Sequence, residues 1–256
     1  MIANYHTHTP RCNHAFGEEI EYVQAAIDGG LQILGFSDHA PQFFPGTYYS
    51  RMRMKPWELK DYVAAVRKLQ AEYAGKLQIH LGLEVEYYPA IFPELVEVAR
   101  DHGIEYFLLG QHWNGNEEGE PYNGRPTEDE RQLKTYCNQV MDAIQTGLFT
   151  YIAHPDILNF TGSDRVYKRH IRKLCQAAKS CDIPLELNLL GLREKRHYPT
   201  ARFWEIAAEE GNDVILGRDA HEPEQLLLPE YEIRGLAMVE RFGLNLLETV
   251  ELRKPW

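Results

Sequence analysis

The sequence predicts an α/β fold, a single domain over residues 1–256 built as a TIM-like (β/α)7 barrel, on three observations. Seven short apolar runs alternate with longer helical patterns, which implies one parallel sheet with right-handed crossovers. Several of these runs, such as YFLLG and DVILG, are apolar throughout, as parallel strands buried on both faces are. No glycine-rich dinucleotide fingerprint follows the first run, and a chain of 256 residues suits closure into a barrel. An open doubly wound sheet is the alternative.

The expected strands are Ile2–His6, Ile33–His39, Leu77–Glu86, Tyr106–His112, Thr150–His154, Pro184–Asn188 and Asp213–Asp219, each holding the β-branched and aromatic residues that pleated surfaces favour. The first helix, Glu18 to Ile27, stops at the pair Gly29-Gly30. Pro56 suits a first turn and opens a helix to about Ala74. Pro93–Asp101 is shorter and ends before Gly103. Thr127 to Glu130 reads as a capping box ahead of a helix reaching Gly147. Tyr167–Ser180 and Arg202–Glu210 complete the set.

The formal net charge is -11 and no basic block is present, which argues against nucleic acid or a membrane surface as a partner. The basic cluster Arg193, Lys195 and Arg196 is too small for a nucleic-acid track. The N-terminus lacks a signal-peptide pattern, and no apolar run approaches the ~20 residues that span a bilayer. Cys12, Cys137, Cys175 and Cys181 form no CxxC pair and read as reduced packing residues. Together these features predict a cytoplasmic protein.

Chemistry concentrates at the strand ends. Of eleven histidines, seven lie in or just after them: His6, His8, His14, His39, His112, His154 and His221. Asp38, Glu84, Glu86, Asp156 and Asp219 share those places. Active sites of such barrels form at the C-terminal ends of the strands, so imidazoles and carboxylates from different strands meet on one rim. His6 and His8 are two apart and point to one face; Asp219 and His221 repeat the spacing. Imidazole suits Zn, Fe and Mn, and a carboxylate can bridge two ions. Two metals ~3.5–4 Å apart clamp the attacking and leaving oxygens of a phosphoryl transfer. His80, His102 and His170 read as structural, and His197 is ambiguous because its loop follows a strand.

HTHTPRCNHA (6–15), FSDHAP (36–41), GLEVEY (82–87), GQHW (110–113), AHPD (153–156), ELNLLGLR (186–193) and LGRDAHEPEQL (216–226) occur in the order found in the PHP (polymerase and histidinol phosphatase) superfamily. The chain resembles that superfamily over nearly its whole length, and within it the histidinol-phosphatase branch. The segment QFFPGTYYSRMRM resembles the loop that follows DHAP there. The resemblance implies a distorted (β/α)7 barrel holding three divalent ions, zinc, iron or manganese. The first would take His6, His8, Glu84 and Asp219. The second would take Glu84, His112 and His154, with Glu84 bridging, and the third His14, His39 and His221. Asp38, beside His39, would orient a ligand from behind or serve a plain structural role. Glu86, which shares a strand face with Glu84 but matches no ligand position, would lie behind the ligands.

The expected activity is hydrolysis of a small-molecule phosphate monoester, L-histidinol phosphate. Asp219 or His221 would protonate the leaving group. Arg193, in a flexible turn at the rim, would clamp the phosphate with its guanidinium fork. Lys195 and Arg196 are near alternatives, and Arg165 is a second clamp. Another superfamily phosphoesterase and a metal-binding module without turnover are the competing readings.

Overall fold

All seven expected strands form, and an eighth follows them. The computed structural model describes residues 1–256. Its strands are β1 (Ala3–Asn4), β2 (Ile33–Phe36), β3 (Gln78–Val85), β4 (Tyr106–Leu109), β5 (Phe149–Ile152), β6 (Leu185–Asn188), β7 (Asp213–Gly217) and β8 (Asn245–Leu246). They stand in sequence order in one parallel sheet. Most strands end earlier than the sequence pattern suggests. His6, His39, His112, His154 and Asp219 lie just past the regular ladders, where single bridges join Thr7 to Ala220 and His39 to Glu84. The first bridge closes the rim: His8 N–H donates to Ala220 O at 2.8 Å and Ala220 N–H to His6 O at 3.1 Å. At the other end β8 pairs with β7. The sheet is therefore a distorted barrel, seven-stranded at its mouth. The eighth strand escapes sequence reading because two residues carry no periodicity.

The helices are α1 (Glu19–Asp28), α2 (Leu59–Glu72), α3 (Phe92–Asp101), α4 (Glu130–Gln145), α5 (Asp164–Ser180), α6 (Leu189–Glu194), α7 (Ala201–Glu209) and α8 (Pro229–Phe242). The expected capping box at Thr127 is corrected: Asp129 caps α4, its side chain accepting from Arg131 N–H, while the Thr127 backbone bridges to Phe160. Pro56 opens a 3-10 turn, Pro56–Glu58, that leads into α2. The GLR segment is corrected from a flexible turn to the body of α6, because Asn188 caps it by accepting from Gly191 N–H at 2.9 Å. Only Gly235 of α8 is buried, so that helix offers the apolar pattern little to detect.

One core of 54 buried residues fills the space between sheet and helices. In α5, Tyr167, His170, Ile171, Leu174, Cys175 and Ala178 are buried, a stripe at helical spacing that packs against α4. Leu174 is wholly buried. Leu174→Ala is expected to cost about 2–5 kcal/mol of stability in denaturant unfolding; a loss below about 1 kcal/mol would show that the stripe collapses around the gap.

Inside the barrel a smaller cluster includes Tyr5, Tyr106, Tyr151 and Ile215. Glycines admit its large rings: a Cβ on Gly82 would lie 2.3 Å from the Tyr106 ring. The same device serves the mouth. A Cβ on Gly110 would lie 2.0 Å from Glu84 Oε1, and one on Gly217 would lie 1.8 Å from Glu186 Oε1. Two bare backbone positions thus make room for two buried carboxylates.

Candidate metal centre

Glu84, next to last in β3, faces into the mouth with imidazoles on both of its oxygens. Oε1 lies 2.9 Å from His154 Nε2, 3.5 Å from His6 Nε2 and 3.7 Å from His112 Nε2. Oε2 lies 2.9 Å from His39 Nδ1 and 3.7 Å from His8 Nε2. Asp219 Oδ1 lies 3.1 Å from His8 Nε2, 3.5 Å from His6 Nε2 and 3.4 Å from His221 Nδ1. The donors of His14, His39 and His221 fall within 4.8 Å of one another, as do those of His6, His8 and Asp219. All nine sequence-predicted ligands therefore converge. Cys12, read from sequence as a packing residue, also comes within that reach of His8 and His221.

A second layer orients these rings. Glu186 Oε1 lies 2.8 Å from His6 Nδ1, and Glu86 Oε1 lies 2.8 Å from His112 Nδ1. Such carboxylates fix the tautomer and leave Nε2 free to bind. Asp38 accepts from His39 N–H at 2.8 Å, sits 3.5 Å from His8 Nδ1 and pairs with the Thr9 hydroxyl. His154 and Asp219 hold positive φ angles of 30° and 49°, conformations that cost about 1–3 kcal/mol each and persist where the surroundings enforce them. Glu186 Oε2 accepts from His154 N–H at 3.0 Å, and Asn188 Nδ2 donates to Glu186 Oε2 at 2.9 Å and Asp219 Oδ2 at 3.1 Å. Sequence reasoning gave Glu186 and Asn188 no role. The available signal was a glutamate and an asparagine in β6, a four-residue strand buried throughout.

The two carboxylates of the cluster keep their negative charge. Burial alone would raise the Glu84 pKa, yet His39, His112 and His6 outweigh it and hold the carboxyl well below the carboxylate range. Asp219 is likewise held well down against burial, by His6, His8 and His221. Burial and the neighbouring His8 push His221 well below the usual histidine value, and burial pushes His39 the same way. His6 Nε2, His8 Nε2, His39 Nδ1, His221 Nε2 and both Glu84 oxygens are buried without a hydrogen-bond partner. Buried polar atoms are ordinarily paired. Imidazole nitrogens and ionised carboxylates left unpaired in one cluster fit divalent ions, which would satisfy them together.

The remaining predicted residues separate. Lys195 caps α6 in a left-handed conformation (φ 55°), its N–H donating to Gly191 O. Arg196, just beyond, lines the metal-facing cavity and donates to the Tyr198 hydroxyl at 2.8 Å. Arg193 stays on the helix, pairs with Glu194, which also holds Arg196, and faces a cleft beside Arg218 and Tyr231. Arg165 is exposed on α5, away from the cavity wall. His197 contacts Ile157 O at 2.6 Å and is not among the cavity-lining residues. His80 pairs with Glu105, His102 with Val98 O and His170 with Glu130, all apart from the mouth. Asp156 accepts from Thr200 N–H at 2.6 Å, and burial pushes its pKa up to about 7.

The cavity over the cluster measures about 110 Å³; Met52, Tyr122, Leu190, Arg196 and Tyr198 join seven of the nine clustered histidines and carboxylates as its walls. A larger cleft of about 540 Å³, lined by residues such as Thr150, Asp182 and Arg253, contains no histidine. Chemistry, not size, selects the site.

Residues 4–189 match the model of the PHP domain family. The chain belongs to the PHP domain family. Among its PHP relatives, a Deinococcus radiodurans protein named "Probable histidinol-phosphatase" is 32% identical over 88% of both chains. The histidinol-phosphatase of Lactococcus lactis is 22% identical over 96% of this chain and 93% of that protein. The solved histidinol phosphate phosphatase of Lactococcus lactis, complexed with zinc, L-histidinol and phosphate, superposes with a TM-score of 0.73 at 18% identity, covering 97% of this chain and 96% of that one. This structural likeness bears out the expected distorted PHP barrel. No helix is long and apolar enough to cross a membrane.

Proposed function

We propose that this PHP protein is a metal-dependent phosphomonoesterase that hydrolyses L-histidinol phosphate to L-histidinol and phosphate, a step of histidine biosynthesis. The observation that carries the reading is the cluster of seven histidines and two carboxylates, with buried unpaired donors, at one barrel mouth. The names of relatives matched along nearly the whole chain supply the substrate.

His6, His8, Glu84 and Asp219 would hold one divalent ion, Glu84, His112 and His154 a second, and His14, His39 and His221 a third. Zinc, the ion named with the Lactococcus lactis enzyme, is the first candidate, with iron and manganese next. When bound, the ions supply a nucleophile at neutral pH and neutralise charge on the transferring phosphoryl group. Arg196, held by Glu194 through Nε and Nη2 and by the Tyr198 hydroxyl through Nη1, turns its remaining N–H groups toward the phosphoryl oxygens. Asp219 or His221, both unprotonated at neutral pH, would take the proton shed by the attacking water and pass it to the leaving alkoxide. Tyr122, Met52 and Leu190 enclose the rest of a compact substrate and keep bulk water from it. A small cavity on a chain of net charge -11 favours one compact monoester over a long polyanion. The four free cysteines fit a reducing cytoplasm.

A steady-state panel of L-histidinol phosphate, nucleotides, sugar phosphates and phosphodiesters tests the reading. The largest kcat/KM is expected for L-histidinol phosphate, with monoesters far above single-stranded DNA. Preference for a nucleotide or sugar phosphate by tenfold or more would reassign the substrate, and robust exonuclease activity at physiological salt would refute the reading.

A further inference from the structure

Arg53 lies in the irregular segment between β2 and α2 and is 2% exposed. A buried guanidinium needs nearly all its donors paired, and the loss of one partner leaves an uncompensated charge. The partners of Arg53 come from distant parts of the chain. Nη1 donates to Glu86 Oε2 at 2.6 Å and to Ala40 O at 3.3 Å; Nε and Nη2 both donate to Glu117 Oε2, at 3.1 and 2.6 Å. Glu86 and Glu117 are themselves buried. The other oxygen of Glu86 meets His112 Nδ1. The other oxygen of Glu117 accepts from the Tyr48 hydroxyl at 3.1 Å. Each neighbour of Arg53 thus leads to the mouth: Met52 beside it lines the cavity, Glu86 leads to His112, and Glu117 belongs to the 113–126 loop that carries Tyr122.

We propose that Arg53 is a positioning residue with two separable arms, one fixing His112 through Glu86 and the other seating the 113–126 loop, and with it the Tyr122 wall, through Glu117. The proposal rests on the reading of His112 as a metal ligand. Geometry makes arginine necessary. The two carboxylates approach different edges of one planar fork, and a lysine ammonium, a single point of charge, cannot span both. Glu86 accepts on one oxygen from His112 and on the other from Arg53, so a shift of the guanidinium rotates the carboxylate that sets the ring. Partners behind a metal ligand typically change metal affinity by about 10–100-fold when removed.

The arms are tested by titrating metal-free protein with zinc against a chromophoric chelator and by measuring kcat and KM for L-histidinol phosphate in the zinc-loaded enzyme. Arg53→Lys is expected to weaken one bound zinc by about 10–100-fold, to leave the others at parental affinity, and to raise KM. Glu117→Gln is expected to raise KM while every zinc stays within twofold of the parent. Glu86→Gln is expected to reproduce the loss at one zinc, and it decides the metal arm should Arg53→Lys fail to fold. Parental zinc affinities in both Arg53→Lys and Glu86→Gln would overturn the proposal. Equal weakening of all zinc ions in Glu117→Gln would also overturn it, since that marks general loosening. A parent that binds zinc yet leaves L-histidinol phosphate intact would refute the proposed substrate, while the zinc titrations still decide the Glu86 arm.

Discussion

Glu84→Gln will lose about 10³-fold or more in kcat/KM, roughly 4 kcal/mol of transition-state stabilisation, and will bind fewer ions. The side chain keeps its size, so the loss reports on charge and lone pairs and not on volume. In the parent each carboxylate oxygen faces imidazoles, three on Oε1 and two on Oε2. A glutamine offers one oxygen and an NH2 group that donates, so one side of the bridge would present protons where lone pairs are needed. Gly110→Ala is a second route to the same defect, because the added Cβ would lie 2.0 Å from Oε1 and must displace the carboxylate. The check is kcat/KM together with metal per chain. Turnover within tenfold of the parent at full metal content would show that Glu84 does not bridge.

Arg196→Met is expected to keep its fold and its metals yet lose about 2–4 kcal/mol in kcat/KM, comparable to deleting one preorganised donor to a developing anion. Arg196→Lys should recover part of this, since an ammonium restores charge without the fork. Arg193→Met is expected to stay within about threefold of the parent, under 1 kcal/mol, because its guanidinium lines the cleft beside Arg218 and Tyr231 and, unlike Arg196, not the cavity over the cluster. The reverse ranking would put the phosphate clamp back on α6.

This pair shows where sequence reading stops. Strand and helix alternation carried the barrel, and the spacing and strand-end placement of the histidines carried their convergence on one rim, because each rests on a local period or a fixed place at a strand end. Arg193 and Arg196 differ by three residues, and their placement turns on a single left-handed residue, Lys195, which the pattern GLREKRH does not announce. Glu186 and Asn188 were hidden for another reason. A buried polar residue inside a strand has meaning only once its partner is known, and His6, His154 and Asp219 lie far from them in sequence. Arg53 is similar: its carboxylate partners are 33 and 64 residues away. The eighth strand and α8 were missed because two paired residues and one buried glycine leave no periodicity.

The central claim is that the histidine-rich mouth is a metal-dependent phosphatase centre. The most direct measurement is turnover of L-histidinol phosphate as metal-free protein is titrated with zinc, manganese or iron(II), with bound metal per chain counted at each point. The predicted result is no turnover without metal and a rise that saturates as three ions per chain are bound. Full turnover by metal-free protein, or none toward any phosphomonoester at full metal loading, would contradict the account.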